Sequence, residues 1–182
     1  MKIKLFNSII IPISYGILMI NAFNNASKAD IGSINLRINA TIVSNTCTVN
    51  LSSKNQTIDL GVWASRQFFS GINPVTTPVP FTILLENCGP AAREVKLFFD
   101  GNTDSQNNEL FALNSNSTAE NVGIAILDKN NQRITPKSYS IPHVITNEVQ
   151  IPLQFYAQYV ATGNSVQPGS ANTEVTFEMT YE

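Results

Sequence analysis

The chain has few of the side chains from which catalytic and metal sites are built. Its 182 residues include one histidine, one tryptophan and two cysteines, and only 13% of them are charged. Two thiols and one histidine cannot complete the four-ligand sets that zinc usually takes. His143 stands alone after Pro142 in a polar stretch, which predicts a solvated loop residue. We therefore expect no enzyme, no metal, no cofactor and no small-molecule substrate.

Two segments approach known motifs but miss their defining positions. Residues 100–104 have the spacing of oxygen ligands in an EF-hand calcium loop, but Ser105 and Phe111 replace the glycine and the bidentate glutamate that the loop requires. Residues 163–167 begin like a nucleophile elbow, but Gln167 stands at the second glycine. The first segment is therefore predicted to be a polar loop between strands, and the second a loop without a catalytic serine.

No apolar run is long enough to cross a membrane as a helix. The longest covers residues 9–20, follows two lysines, and falls short of the roughly 20 residues that a membrane span needs. Ser27 and Ala29 supply the small side chains that signal peptidase accepts at the −3 and −1 positions. This pattern predicts a signal peptide over residues 1–29 and export of the protein. Cleavage after Ala26 and a retained membrane anchor are the alternatives.

The predicted mature chain, which begins at Asp30, is poor in positive charge. Cleavage would remove Lys2, Lys4 and Lys28 from the 11 basic residues, leaving 8 basic and 13 acidic residues and a net charge of −5. A nucleic-acid-binding surface needs clustered lysine and arginine to displace counterions from phosphates. The basic residues here are scattered, so the sequence argues against a nucleic-acid partner.

The two cysteines, Cys47 and Cys88, both lie in the predicted mature chain. An even pair of cysteines behind a signal peptide predicts a disulfide, because the compartment outside the cytoplasm is oxidising. Closing a loop of this size would stabilise the fold by about 4 kcal/mol in the chain-entropy account.

Both ends of the predicted mature chain alternate apolar and polar residues. This period of two is typical of a strand with one buried face, because successive side chains point to opposite sides. The C-terminal segment has apolar residues at Val175, Phe177, Met179 and Tyr181. The segment 33–43 has them at Ile34, Leu36, Ile38, Ala40 and Ile42. Chain ends fray unless they are packed, so two such strands predict a protein that binds its partners by strand pairing.

Between these ends, the sequence predicts β segments separated by turn residues. The proline-rich residues 71–80 predict an extended loop, and residues 64–70 a helical turn. The β segments are predicted over residues 56–63, 79–88, 95–99, 122–128, 133–141 and 149–160. Many strands at regular spacing favour an antiparallel, all-β sandwich of one domain.

In these segments the chain resembles the subunits of chaperone–usher fimbriae, in particular the minor or adapter subunits of type 1-like pili. The matching segments run in family order along the mature chain. They are Cys47-Thr-Val, Ile58-Asp-Leu-Gly, Pro80-Phe-Thr-Ile-Leu-Leu-Glu-Asn-Cys88, Val95-Lys-Leu-Phe-Phe-Asp-Gly, Val122-Gly-Ile-Ala-Ile-Leu-Asp, Phe155-Tyr-Ala-Gln-Tyr, Pro168-Gly-Ser-Ala and Tyr181.

The resemblance implies an incomplete immunoglobulin-like sandwich over residues 44–182 that lacks its final strand. It also implies an N-terminal donor-strand extension over residues 30–43. A periplasmic chaperone and then the extension of a neighbouring subunit would fill the groove beside the C-terminal strand, with exchange at an outer-membrane usher. Val175, Phe177, Met179 and Tyr181 would form the groove and chaperone edge, and the chaperone would anchor the carboxylate of Glu182.

The resemblance implies a structural subunit of a surface fimbria that supports cell adhesion. Ala40 stands where the family's donor extension usually has glycine, so the choice of neighbouring subunit is open. A major rod subunit of the same family is one alternative. The other is a self-contained, secreted immunoglobulin-like binding module, which would be a stable monomer.

Overall fold

The computed structural model describes residues 46–68 and 74–181, which belong to one compact unit spanning residues 41–182. The predicted signal peptide 1–29, the predicted donor extension 30–43 and Glu182 lie outside the described residues. Their assignments remain predictions.

The described residues form nine strands and two short helical segments. The helical segments are α1 (Leu51–Lys54), whose first N–H groups are capped by Asn50, and a 3₁₀ turn at Ser65–Phe68. The strands are β1 (Thr48–Val49), β2 (Val79–Glu86), β3 (Glu94–Asp100), β4 (Val122–Leu127), β5 (Arg133–Ile134), β6 (Ser138–Tyr139), β7 (His143–Val144), β8 (Gln150–Ala161) and β9 (Thr176–Tyr181). None of the helices in these ranges is long and apolar enough to span a membrane.

The strands form two antiparallel sheets. The first has the order β1-β2-β8-β4-β5. In the second, β3 pairs with β9 and with the short strands β6 and β7. The same β3 residues pair both with β9 and with β6 or β7, so β9 must lie on the opposite edge of β3. The prediction of an all-β fold built from two antiparallel sheets is confirmed.

The core fills the space between the two sheets. Alternation along β3 and β8 directs one face of each strand inward, as a period of two requires. Phe155 of β8 is fully buried and contacts three rings: Phe81 at 5.7 Å, Phe99 at 5.2 Å and His143 at 5.4 Å between centroids. The Phe81 ring is stacked on Phe155 and the other two rings meet it edge-on; such aromatic pairs add to the stabilisation from burial alone.

Two expectations from the sequence were wrong. His143 is not a solvated loop residue, because it lies in β7 with only 5% of its surface exposed, against Phe155. Residues 56–63 do not form a regular strand. The β segment predicted at 133–141 is divided between β5 and β6, and the helical turn predicted within 64–70 is confirmed by the 3₁₀ turn.

Candidate functional site

The C-terminal strand β9 is placed as its alternation predicts. Residues 176–181 pair with residues 100–95 of β3, so the strand is held by a main-chain ladder along its full length. The odd-numbered side chains are half-buried and pack on the core: Val175, Phe177, Met179 and Tyr181. The even-numbered side chains are exposed: Thr176, Glu178 and Thr180.

The segment that leads into β9 is fastened to the rest of the fold by side-chain hydrogen bonds. The hydroxyl of Tyr159 donates to the carbonyl of Ala171 at 2.9 Å. The hydroxyl of Thr173 donates to the carbonyl of Ala112 at 2.6 Å. These bonds fix where the strand begins, so its apolar side chains enter the core in register.

Among residues 46–68 and 74–181, β9 pairs with β3 and with no other strand. Its second edge therefore presents N–H and C=O groups without a ladder partner among the described residues. Such an edge beside an apolar row is a template for pairing with a further strand. The two-residue strand β1 is likewise at the edge of its own sheet, where it pairs with β2.

Residues 57–63 form a second stretch of unpaired main chain. Ile58 packs on the core and Leu60 is 7% exposed, so these side chains point inward. Turn contacts interrupt the stretch: Asp59 accepts a hydrogen bond from the N–H of Gly61, whose φ of 80° favours glycine. No residue of the described ranges forms a main-chain to main-chain hydrogen bond with 57–63. The sequence predicted a β segment here but not the missing ladder.

Tyr181 joins the end of β9 to the start of the described chain. Its hydroxyl lies 3.1 Å from the carbonyl oxygen of Cys47 and 3.4 Å from the Sδ of Met179. Burial raises the pKa of Tyr181. The hydroxyl therefore stays protonated at neutral pH and acts as a donor. Sequence reasoning missed this contact, because it joins residues 134 positions apart.

The predicted disulfide is confirmed. Cys47, just before β1, bonds to Cys88, two residues after β2, with 3.9 Å between their Cα atoms. The bridge holds the first strand against the second. Because Tyr181 contacts the carbonyl of Cys47, the disulfide also lies next to the end of β9.

The loop that resembles a calcium site has a structural role. One carboxylate oxygen of Asp104 accepts hydrogen bonds from the N–H groups of Gln106 and Asn107, both at 2.9 Å. In the described part of the chain, no group of three or more histidine, cysteine or acidic side chains is placed to hold a metal ion. The prediction of a polar loop is confirmed.

Comparisons with known proteins agree with this architecture. The sequence profile of the fimbrial protein family matches residues 36–182. The chain is 30% identical to the fimbrial-like protein FimF of Salmonella typhimurium over 93% of its own length and 95% of that protein. It is 34% identical to the type 1 fimbrial subunit of Salmonella typhimurium, over 78% of each chain. A solved chaperone–usher pilus superposes with a TM-score of 0.63 at 21% identity, covering 84% of this chain and 97% of that one, which shows a shared fold.

Proposed function

Because this chain belongs to the fimbrial protein family, whose members are structural proteins and not enzymes, we propose that it is a subunit that polymerises by donor-strand exchange. Fimbrial proteins are exported to the cell surface as parts of fimbriae, and subunits of one fibre contact one another. In this exchange, a strand from another protein would occupy the free edge of β9.

The observation that carries this proposal is the single ladder of β9. The four inward side chains of residues 175–181 already pack on the core, while the second edge of β9 has no partner strand among the described residues. A strand added at that edge would gain main-chain hydrogen bonds, and its alternate side chains would be buried beside this row. We propose that residues 57–63, with Ile58 and Leu60 inward and main chain unpaired, form the other wall of the groove.

The open edge of β9 also suggests which proteins bind this chain. We propose that a periplasmic chaperone covers β9 before assembly, and that the extension of the next subunit replaces it at an outer-membrane usher. An exposed apolar edge would otherwise aggregate. Residues 34–42 of this chain would in turn be donated to a neighbour. The structurally similar pilus belongs to a chaperone–usher system, which supports this pathway.

The test compares two serine substitutions on neighbouring residues of β9. Phe177→Ser removes an inward aromatic ring that lies 6.5 Å from Phe99, whereas Glu178→Ser changes an exposed side chain. We expect Phe177→Ser to abolish both periplasmic accumulation and incorporation into sheared fibres, because the apolar contacts at the strand junction are lost. Glu178→Ser should retain both. Equal incorporation of the two variants, measured by immunoblot of purified fibres, would show that β9 is not the acceptor edge.

The rival function, a self-contained secreted binding module, makes the opposite prediction for the isolated chain. Expressed without other fimbrial proteins, a subunit with an open edge should aggregate or be degraded, whereas a complete module should elute from size exclusion as a stable monomer. A stable monomer that is insensitive to Phe177→Ser would support the rival.

We further propose a minor or adapter position in the fibre and a supporting role in cell adhesion. The composition is rich in asparagine, whereas major subunits of the family tend to be rich in alanine, glycine and threonine. The predicted donor extension argues against a terminating subunit. Immunogold labelling should mark a few positions per fibre, and continuous labelling would identify the major rod subunit instead.

A further inference from the structure

The predicted mature chain has one sulfur atom that is not in a disulfide, the Sδ of Met179. Two of the three methionines, Met1 and Met19, fall in the predicted signal peptide. Cys47 and Cys88 are joined in the disulfide, and the described residues contain no free cysteine. Met179 is therefore the one thioether of the predicted mature chain, and no free thiol competes with it for oxidants.

This thioether lies on the edge strand whose pairing the proposed function requires. Met179 is half-buried in the inward row of β9, opposite Leu97, which is fully buried. Its Sδ lies 3.4 Å from the hydroxyl of Tyr181. That hydroxyl has a second acceptor, the carbonyl of Cys47, at 3.1 Å. One hydroxyl hydrogen is thus placed between a weak sulfur acceptor and a stronger carbonyl acceptor.

We propose that Met179 is an oxidation site that regulates strand acceptance at β9, an inference that rests on the proposed donor-strand function. The oxidant is a peroxide. The sulfur lone pair attacks one peroxide oxygen, the O–O bond breaks and an S–O bond forms. The sulfur loses two electrons, and the peroxide is reduced to water or an alcohol after proton transfer. Methionine sulfoxide reductases reverse the step.

The sulfoxide would change the groove in two ways. It would place a polar, chiral group in an apolar row beside Leu97, which opposes burial by an incoming strand. Its oxygen would also be a stronger acceptor than the thioether, so it would compete with the Cys47 carbonyl for the hydroxyl of Tyr181. Both changes act before a strand is bound, and a bound strand would cover the sulfur from solvent. Oxidation should therefore affect subunits awaiting assembly more than subunits within a fibre.

The experiment uses cells that produce the fimbria with either the natural chain or Met179→Leu. Sheared fibres are removed, the cells are exposed to sublethal hydrogen peroxide, and newly formed fibres and the periplasmic pool are collected. Intact mass spectrometry counts the gain of one oxygen, about 16 Da, at Met179. We expect the sulfoxide in the periplasmic pool and about tenfold depletion in the fibres, because an incoming strand would have to bury a polar group in an apolar row.

Met179→Leu keeps an apolar side chain and removes the sulfur. Each chain is compared with its own untreated sample, so an effect of leucine on basal incorporation does not enter the comparison. Peroxide should lower fibre incorporation of the natural chain much more than that of Met179→Leu, and added methionine sulfoxide reductase should restore acceptance.

The possible results separate this inference from the proposed function. A periplasmic pool without sulfoxide would overturn the modification site. Equal sulfoxide in pool and fibre, or an equal loss for both chains, would overturn the regulation and leave donor-strand assembly intact. Absence of the untreated chain from fibres would instead refute the proposed function, and the regulation with it.

Discussion

At the scale of single residues, Tyr181 and His143 differ in the hydrogen bonding of their polar atoms. Tyr181 keeps a hydrogen bond from its hydroxyl to the Cys47 carbonyl. His143 is almost fully buried, and its Nε2 has no hydrogen-bond partner among the described residues. Burial next to Phe155 lowers the pKa of His143. The charge of Lys129 lowers it further, and that of Asp128 opposes the shift. The folded state therefore favours the neutral form of the imidazole.

This shift predicts a loss of stability in mild acid. An unfolded histidine has a pKa of about 6.5, and the folded value is lower, so the unfolded chain binds the extra proton first. The contribution of His143 to the free energy of unfolding is complete above about pH 6.5. It decreases as the pH drops towards the folded pKa, by at most about 1.4 kcal/mol per pH unit. Urea denaturation of the purified exported protein at several pH values measures it.

The control is His143→Leu, which keeps an apolar group beside Phe155 without a titrating nitrogen. Its stability should vary less with pH between about pH 6.5 and 5 than that of the natural chain. Identical slopes for the two proteins would mean that His143 is not responsible for the acid sensitivity.

At the scale of elements, we propose that β9 and the predicted extension at 34–42 are complementary halves of one interaction. β9 has apolar side chains inward and an edge without a partner among the described residues. The sequence of the extension has the same alternation, which predicts Ile34, Leu36, Ile38 and Ile42 on one face. Full burial of each such side chain is worth about 1.5–3 kcal/mol. The extension should therefore be exposed before assembly and buried in a neighbour afterwards.

A matched pair of aspartate substitutions tests the donor role. Ile38→Asp places a charge on the apolar face, whereas Asn39→Asp places it on the polar face of the same segment. We expect both variants to accumulate in the periplasm, because their β9 edge is unchanged. Only Ile38→Asp should fail to donate its strand, since donation would bury an unpaired charge.

Ala40→Leu should also impair donation, because its larger side chain would clash in a narrow part of the groove. The measurement is the presence of a neighbouring subunit bound to the extension in purified fibres. Donation by Ile38→Asp at the level of Asn39→Asp would contradict the donor assignment.

At the scale of the whole molecule, export and oxidation should leave a defined covalent signature. We expect a mature chain that starts at Asp30 and lacks residues 1–29, with two hydrogens fewer for the Cys47–Cys88 bond. Intact mass of the exported protein measures both changes. A chain that retains residues 1–29 would favour the membrane-anchor alternative.

Reduction should destabilise the molecule because it opens a loop between cysteines 41 positions apart. In the chain-entropy account the loss is about 4 kcal/mol. Denaturation of the exported protein with and without reductant measures it, and an unchanged midpoint would mean that the bridge adds little to stability.

The sequence by itself determined the features that depend on local patterns or on small numbers. The alternation at 175–181 predicted a strand with one apolar face, because strand geometry sends neighbouring side chains to opposite sides. The two cysteines had only one intramolecular pairing available. The positions of the main strands along the chain were likewise predicted from apolar runs and the turn residues between them.

Only the tertiary structure decided the features that depend on distant contacts. The placement of β9 at an edge follows from its pairing with β3 alone among the described strands, which no pattern within β9 encodes. Residues 57–63 have apolar side chains typical of a strand but find no described ladder partner. His143 looked solvated because its polar neighbours are local, whereas Phe155, which buries it, comes from another sheet. Burial and hydrogen bonding are set by groups that chain folding brings together, and a local pattern does not specify them.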